Sequence, residues 1–331
     1  MDSLNFRVDF ILEGQQHCDH FLTSLANPEG KTVLVVGSGA GTEMLWALRR
    51  GAVEVIGLDI LEQSPEALLA AARRLGVQAK GRFHMRHLGI EDAGTLGREF
   101  DLVLSNNVFE HISDINRAFE VCAALVRPWT GRIAIFTDPL FHSSAGSHLP
   151  LVPWEHLWGD EEEIRRRLIS ELPSDHPLQS MSLDEYLFEE ITLNRMRLED
   201  IVTAVERSAL MILTLELHRD RNIERLAEYR PRLGNRAATD LTIEGVGLEL
   251  ARAGPGECTA SHWFLPVAER NRAASGECIE DRQATERRLQ DVLRVLESTE
   301  RSISFRIGRA VTFPGRWIRD RVLTRSRLMG A

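Results

Sequence analysis

Up to residue 137 the chain alternates between short apolar runs and segments with helical spacing. The runs TVLVV (32–36), VEVIGL (53–58), RFHMRH (82–87), DLVLS (101–105) and RIAIF (132–136) have the length and residue types of strands. Between them, TEMLWALRRG, SPEALLAAARRLG and DINRAFEVCAALVRP repeat their apolar residues as helices do. In the last of these Asp114 is placed to cap the helix. Ile115, Ala118, Phe119, Cys122, Leu125 and Val126 share one face, and Pro128 follows its end. Strand–helix alternation at this spacing predicts an α/β fold: a doubly wound, mostly parallel sheet covered by helices on both faces. Such sheets bind ligands beyond the carboxyl ends of their strands.

The pattern breaks at 139–195. This insertion follows the fifth strand and opens with PLFHSSAGSHLPLVPWEHLWGDEEE, a text of turn formers, histidines and tryptophans of the kind found in lids and substrate walls. Alternation then resumes: LEDIVTAVERSA reads as a helix, LMILTLELH as a strand, NIERLAEYRPRL as a helix and LTIEGVGLELAR as a final strand. Residues 1–30 form an N-terminal helical segment. Residues 254–331 are read as a linker, a charged helix and a basic amphipathic tail.

Composition narrows the class. With 43% hydrophobic and 27% charged residues the chain has a sizeable core. A net charge of −9 argues against a general nucleic-acid binder. Cys18, Cys122, Cys258 and Cys278 show neither zinc-ligand spacing nor a disulfide framework, and the first residues lack a basic-then-apolar signal. A cytoplasmic, reduced protein is the expectation. The exception is residues 301–331, which hold eight arginines and one aspartate. Phe305, Ile307, Val311, Phe313, Trp317, Ile318, Val322 and Leu323 lie between them, as in a segment that rests on an anionic membrane surface or docks on a protein partner.

The candidate chemistry lies in VLVVGSGAGTE (33–43). Gly37 turns the chain out of the first strand, and Gly39 and Gly41 remove side chains where a ligand would lie against backbone. Asp59 ends the next strand, where its carboxylate can accept both hydrogen bonds of a ribose diol. The dinucleotide fingerprint needs a third glycine where this chain has Thr42, which argues against a nicotinamide oxidoreductase.

The motifs VLVVGSGAG, VIGLDI and FDLVLSNNVFEHISDINRAFEVCAALVRPWTGRIAIF resemble class I S-adenosylmethionine-dependent methyltransferases, over residues 30–137 closely and 195–252 in outline. The resemblance implies a Rossmann-like, seven-stranded, mostly parallel sheet over residues 31–253, with S-adenosylmethionine as cofactor. By position, Gly37, Gly39 and Gly41 would line its methionine and ribose, Asp59 would hold the ribose hydroxyls and Ile60 would pack on the adenine. Gly89 and Ile90 fall at the family's adenine-contacting acid-plus-apolar pair, and Ser105 and Asn106 beside the sulfonium. Two departures stand out: Val35 replaces an acid two places before the first glycine, and Gly89 replaces the adenine-side acid, with Glu91 and Asp92 displaced toward the loop. These departures keep a non-catalytic scaffold of the same fold among the readings.

Methyl transfer to a hydroxyl needs a group to take the proton, and a neutral histidine suits it. The candidates are His111, His148 and His156. His111 reads equally well as a residue that orients its loop. Quinone-type relatives carry a second acid three residues before Glu110-His111 and can hold a divalent metal there. Asn107 occupies that place, so no metal is expected. Trp154 and Trp158 flank His156 as a sugar- or aglycone-binding wall would, or as anchors of a lid, with His142 and His176 exposed. His148 and His156 resemble the pattern of a methyltransferase subgroup found with bacterial surface-polysaccharide assembly. The expected acceptor is a hydroxyl of a sugar or lipid-linked glycan at the inner membrane face. A quinone or other small molecule is the alternative.

Overall fold

The computed structural model describes residues 3–147, 149, 151–160, 162–164, 166–167 and 193–252. The expected tail, the charged helix and most of the insertion beyond 160 lie outside them.

The elements are α1 (Ser3–Phe21), β1 (Thr32–Val36), α2 (Thr42–Arg49), β2 (Glu54–Asp59), α3 (Pro65–Arg74), β3 (Phe83–His87), β4 (Leu102–Asn106), α4 (Ile115–Leu125), β5 (Arg132–Thr137), α5 (Glu155–Trp158), α6 (Leu198–Arg207), β6 (Leu210–Arg219), α7 (Leu226–Leu233), α8 (Ala238–Thr242) and β7 (Ile243–Arg252). Short 3-10 turns follow β3 (Ile90–Leu96) and β4 (Phe109–His111). The sheet order is β3-β2-β1-β4-β5-β7-β6, with β7 antiparallel to both neighbours and the first five strands parallel. This is the seven-stranded, mostly parallel arrangement implied by the resemblance. The final strand starts at Ile243 rather than 241, because Ala238–Thr242 wind into a single helical turn first.

Successive strand residues face opposite sides, so the apolar runs feed two cores. Val33, Val35, Val55, Leu104 and Phe136 meet α1, α2 and α3. Leu34, Val36, Ile56, Val103 and Ile135 meet α4 and α6. Asp114 caps α4 by accepting from the Arg117 N–H at 3.0 Å. Val35, at the place of the family's acid, is buried in the first core.

The N-terminal helix is part of that first core. Trp46 Nε1 donates to Asp19 at 3.0 Å, the Arg49 guanidinium bonds the same carboxylate at 2.7 Å, and Gln15 Nε2 donates to the Thr42 carbonyl at 3.0 Å. The helix thus sits over the first turn of α2, next to the glycine turn.

Candidate functional site

The turn after β1 is built from three residues in left-handed conformation: Gly37 at φ 69°, Gly39 at 46° and Gly41 at 105°. Side-chain-bearing residues rarely adopt these angles, so glycine is required at each. What faces each one differs. A Cβ on Gly37 would run into the Val108 side chain, and one on Gly41 would come within 2.5 Å of Leu68 Cδ1. Their bareness toward those directions is filled by the protein's own packing. Gly39 has nothing within 4 Å and remains the open position.

The end of β2 completes this half. Asp59 Oδ2 accepts from the Gly39 N–H and Oδ1 from the Leu61 N–H, each at 2.8 Å. Each carboxylate oxygen keeps a second lone pair, so a diol can still be accepted. Ile60, the residue expected against adenine, is 73% exposed although fully apolar. Gly89 is extended, and a Cβ there would lie 3.1 Å from Glu91 Oε2 and 3.6 Å from Ile60 Cγ2. The displaced acid of the sequence therefore swings back beside Gly89, next to Ile60. Ile90 turns its side chain into the α4-side core. An open glycine, a carboxylate at hydrogen-bonding distance from it and an exposed apolar platform fit an adenosyl group.

At the end of β4 the expected neighbours of a sulfonium part company. Ser105 is buried, with its hydroxyl donating to the Val36 carbonyl at 3.3 Å, a tie between β4 and β1. Asn106 points to the α1 side. Its Nδ2 donates to Glu43 Oε1 at 2.9 Å. Burial pushes the Glu43 carboxyl up, and pushes His17 down to about 4. His17 packs against Phe21 (ring centroids 4.5 Å apart) and Phe136 (6.1 Å), and His218 of β6 closes on the same two rings. His218 is lowered to about 4 as well, by burial. Neither histidine stood out in the sequence.

On the other face, Glu110 is buried, with Oε2 accepting from the Thr137 hydroxyl at 2.7 Å and Oε1 without a partner. Burial raises its carboxyl to about 8. Asn107 is held at φ 53° with both amide atoms buried and unpartnered. His111 ends the 3-10 turn near the surface, its pKa lowered by partial burial.

The two described insertion histidines each bond within the neighbouring loops. His156 Nε2 donates to the Phe141 carbonyl at 2.7 Å, and burial lowers the ring to about 4. A Cβ on Gly146 would strike both the Phe141 carbonyl and His156 Nε2, which explains the glycine. Trp154 is fully buried with Tyr229, Leu233 and Leu241, so it anchors the insertion and offers no wall to a ligand. His142 is half-buried against Asp240 at 3.4 Å, where an exposed ring was expected. His148 and His176 lie outside the described residues.

Residues 34–133 match a family model described as a methyltransferase domain. A ubiquinone biosynthesis O-methyltransferase of Bordetella avium is 32% identical over 101 residues, which cover 30% of this chain and 40% of that protein. One of Rhodopseudomonas palustris is 35% identical over 135 residues, covering 40% and 49%. The chain thus spans less than half the length of these curated relatives. Among solved structures, an S-adenosylmethionine dependent methyltransferase from Mesorhizobium loti aligns with 73% of this chain over 100% of its own, at 18% identity and a TM-score of 0.40.

Proposed function

We propose that this protein is an S-adenosylmethionine-dependent O-methyltransferase. The observation that carries the reading is the β2 end: Asp59 hydrogen-bonded to the open Gly39, with Ile60 exposed beside it. Asp59 would grip the ribose diol, Gly39 would admit the nucleoside to backbone contact, and Ile60 would cover one adenine face. When bound, S-adenosylmethionine supplies an electrophilic methyl group on a sulfonium. This chain's residues then have to align the acceptor oxygen, exclude water and take a proton.

The acceptor is a hydroxyl of a sugar or lipid-linked glycan, the reading supported by the Gly-x-His and Pro-Trp-x-His pattern around 146–156. A quinone-type small molecule is the second reading. The names of the curated relatives favour it, as does the burial of Trp154, which removes an aromatic face suited to sugar. The basic tail would bring the protein to a membrane surface or to a protein partner. No helix among the described residues is long and apolar enough to cross a membrane.

Calorimetric titration with S-adenosylmethionine tests the core of this reading. Asp59→Ala is expected to weaken binding by about 100-fold, as two charge-assisted hydrogen bonds are lost. Unaltered affinity in that variant overturns the ribose assignment. Transfer of a labelled methyl group to glycan-lipid fractions rather than to quinone precursors separates the two acceptors.

A further inference from the structure

The lateral border of the sheet at β3 carries this inference, which goes beyond the S-adenosylmethionine reading and does not depend on it. β3 is the terminal strand, and β2 is its partner. The Arg82 carbonyl accepts from the Val55 N–H and the Leu88 N–H donates to the Asp59 carbonyl, so by alternation residues 82, 84, 86 and 88 turn their backbone groups to β2. Those of Phe83, Met85 and His87 face outward, where the sheet has no further strand. The β2–β3 register runs without a bulge, which leaves this border straight. On the α3 side lies a groove of about 330 Å³, lined by Pro65, Leu69, Phe83 and Met85 and by the polar Gln63 and Lys80. Arg86, out of phase with Phe83 and Met85 along the strand, stands on the opposite face.

Charge selects the occupant. Residues 67–90 hold Arg73, Arg74, Lys80, Arg82 and Arg86 and no acid, in a chain of net charge −9. Arg74 pairs with Asp9, and Arg82 donates to the Ala52 and Gln78 carbonyls. Arg73, Lys80 and Arg86 are exposed and form no ion pair among the described residues. A second copy of the same strand would set like charges opposite each other. A small anion would use the cations but leave the strand edge bare, and a flat bilayer would use neither edge nor groove.

We propose that the β3 border docks an extended acidic segment of a partner protein, which adds a strand to the sheet. Its backbone pairs with the outward groups of Phe83, Met85 and His87, alternate apolar side chains enter the groove, and its carboxylates meet Arg86 and Lys80.

The test titrates the full chain with a blocked peptide of alternating glutamate and valine, read by calorimetry. This peptide is expected to bind, and its counterpart with lysine in place of glutamate is not. Lys80→Glu/Arg86→Glu should weaken binding by about tenfold, the size of two exposed charge pairs, with the unfolding midpoint unchanged. Two further peptides, N-methylated at every glutamate or at every valine, separate strand pairing from charge attraction on the wild type. One pattern removes the N–H groups that face β3 and should abolish binding, while the other preserves it. Equal effects of the two patterns overturn the proposal. Failure of the unmethylated peptide to bind also overturns it; capture by phosphatidylglycerol vesicles would then assign the border to a membrane surface, and a concentration-dependent dimer to a second copy.

Discussion

The two ends of the sheet's carboxyl edge differ in what they leave uncovered. At β2 the edge is open: Ile60 and Leu61 stand in solvent, and Asp59 accepts from the Gly39 and Leu61 backbone N–H groups. At β4 and β5 it is closed. Glu43 and Glu110 are buried on opposite faces, Phe136 is covered by Phe21, and His17 and His218 are packed against the same rings. A side chain at the open end contributes little to folding, so its replacement reads out in ligand binding. At the closed end the groups with chemistry are also core, and their protonation is tied to stability.

Acid should break the closed end first, with the largest effect. His17 and His218 hold their pKa near 4 in the folded chain, against 6.5 for an unperturbed ring. The unfolded chain therefore binds more protons below pH 6.5, and stability is lost as pH falls from 6.5 toward 4. At pH 5 each ring is expected to cost about 2 kcal/mol. Urea unfolding at pH 7 and pH 5 measures the loss, and a His17→Leu/His218→Leu double variant should lose much less of its stability between the two. An identical acid loss in that variant would refute the burial account.

Glu110 titrates with the opposite sign. Its folded carboxyl is raised to about 8 from 4.5, so the stability it allows is full below pH 4.5 and is lost as pH rises toward 8. Glu110→Gln keeps an oxygen for Thr137 and removes the ionisation. It should stabilise the protein by about 4 kcal/mol at pH 8 and give no such gain at pH 4, as read by chemical denaturation. The smallest effect is expected at the open end. Ile60→Ser should weaken S-adenosylhomocysteine binding by about tenfold through lost apolar contact, while leaving the unfolding midpoint in place. A drop in stability there would show that the two ends are not so different.

The open end was legible because its parts are local. One turn and two strand ends supply Gly39, Asp59 and Ile60, and each follows from a short motif and its strand context. Asp114 as a cap and the two-faced burial of the strands were readable for the same reason. The closed end joins residues from α1, α2, β4, β5 and β6, whose meeting depends on sheet order and on how α1 docks. The only local hint was His17 and Phe21 four residues apart, the spacing that puts both on one helix face. For Trp154 the second of its two sequence readings, the anchor of a lid, is the one its burial fits. Aromatic and imidazole groups among turn formers suit a ligand wall, but they equally suit a loop that must satisfy its own carbonyls and bury its own anchor, which is their use here.

Gly14 gives the docking of α1 a sharper meaning. A methyl group there would come within 2.6 Å of Thr42 Cγ2, so the helix rides directly on the residue that follows the glycine turn. Any protease or truncation that removes the first fifteen residues would also take away the donor to the Thr42 carbonyl. On the proposed reading the N-terminus thereby becomes a handle on S-adenosylmethionine affinity: loosening it should weaken binding through the turn it supports.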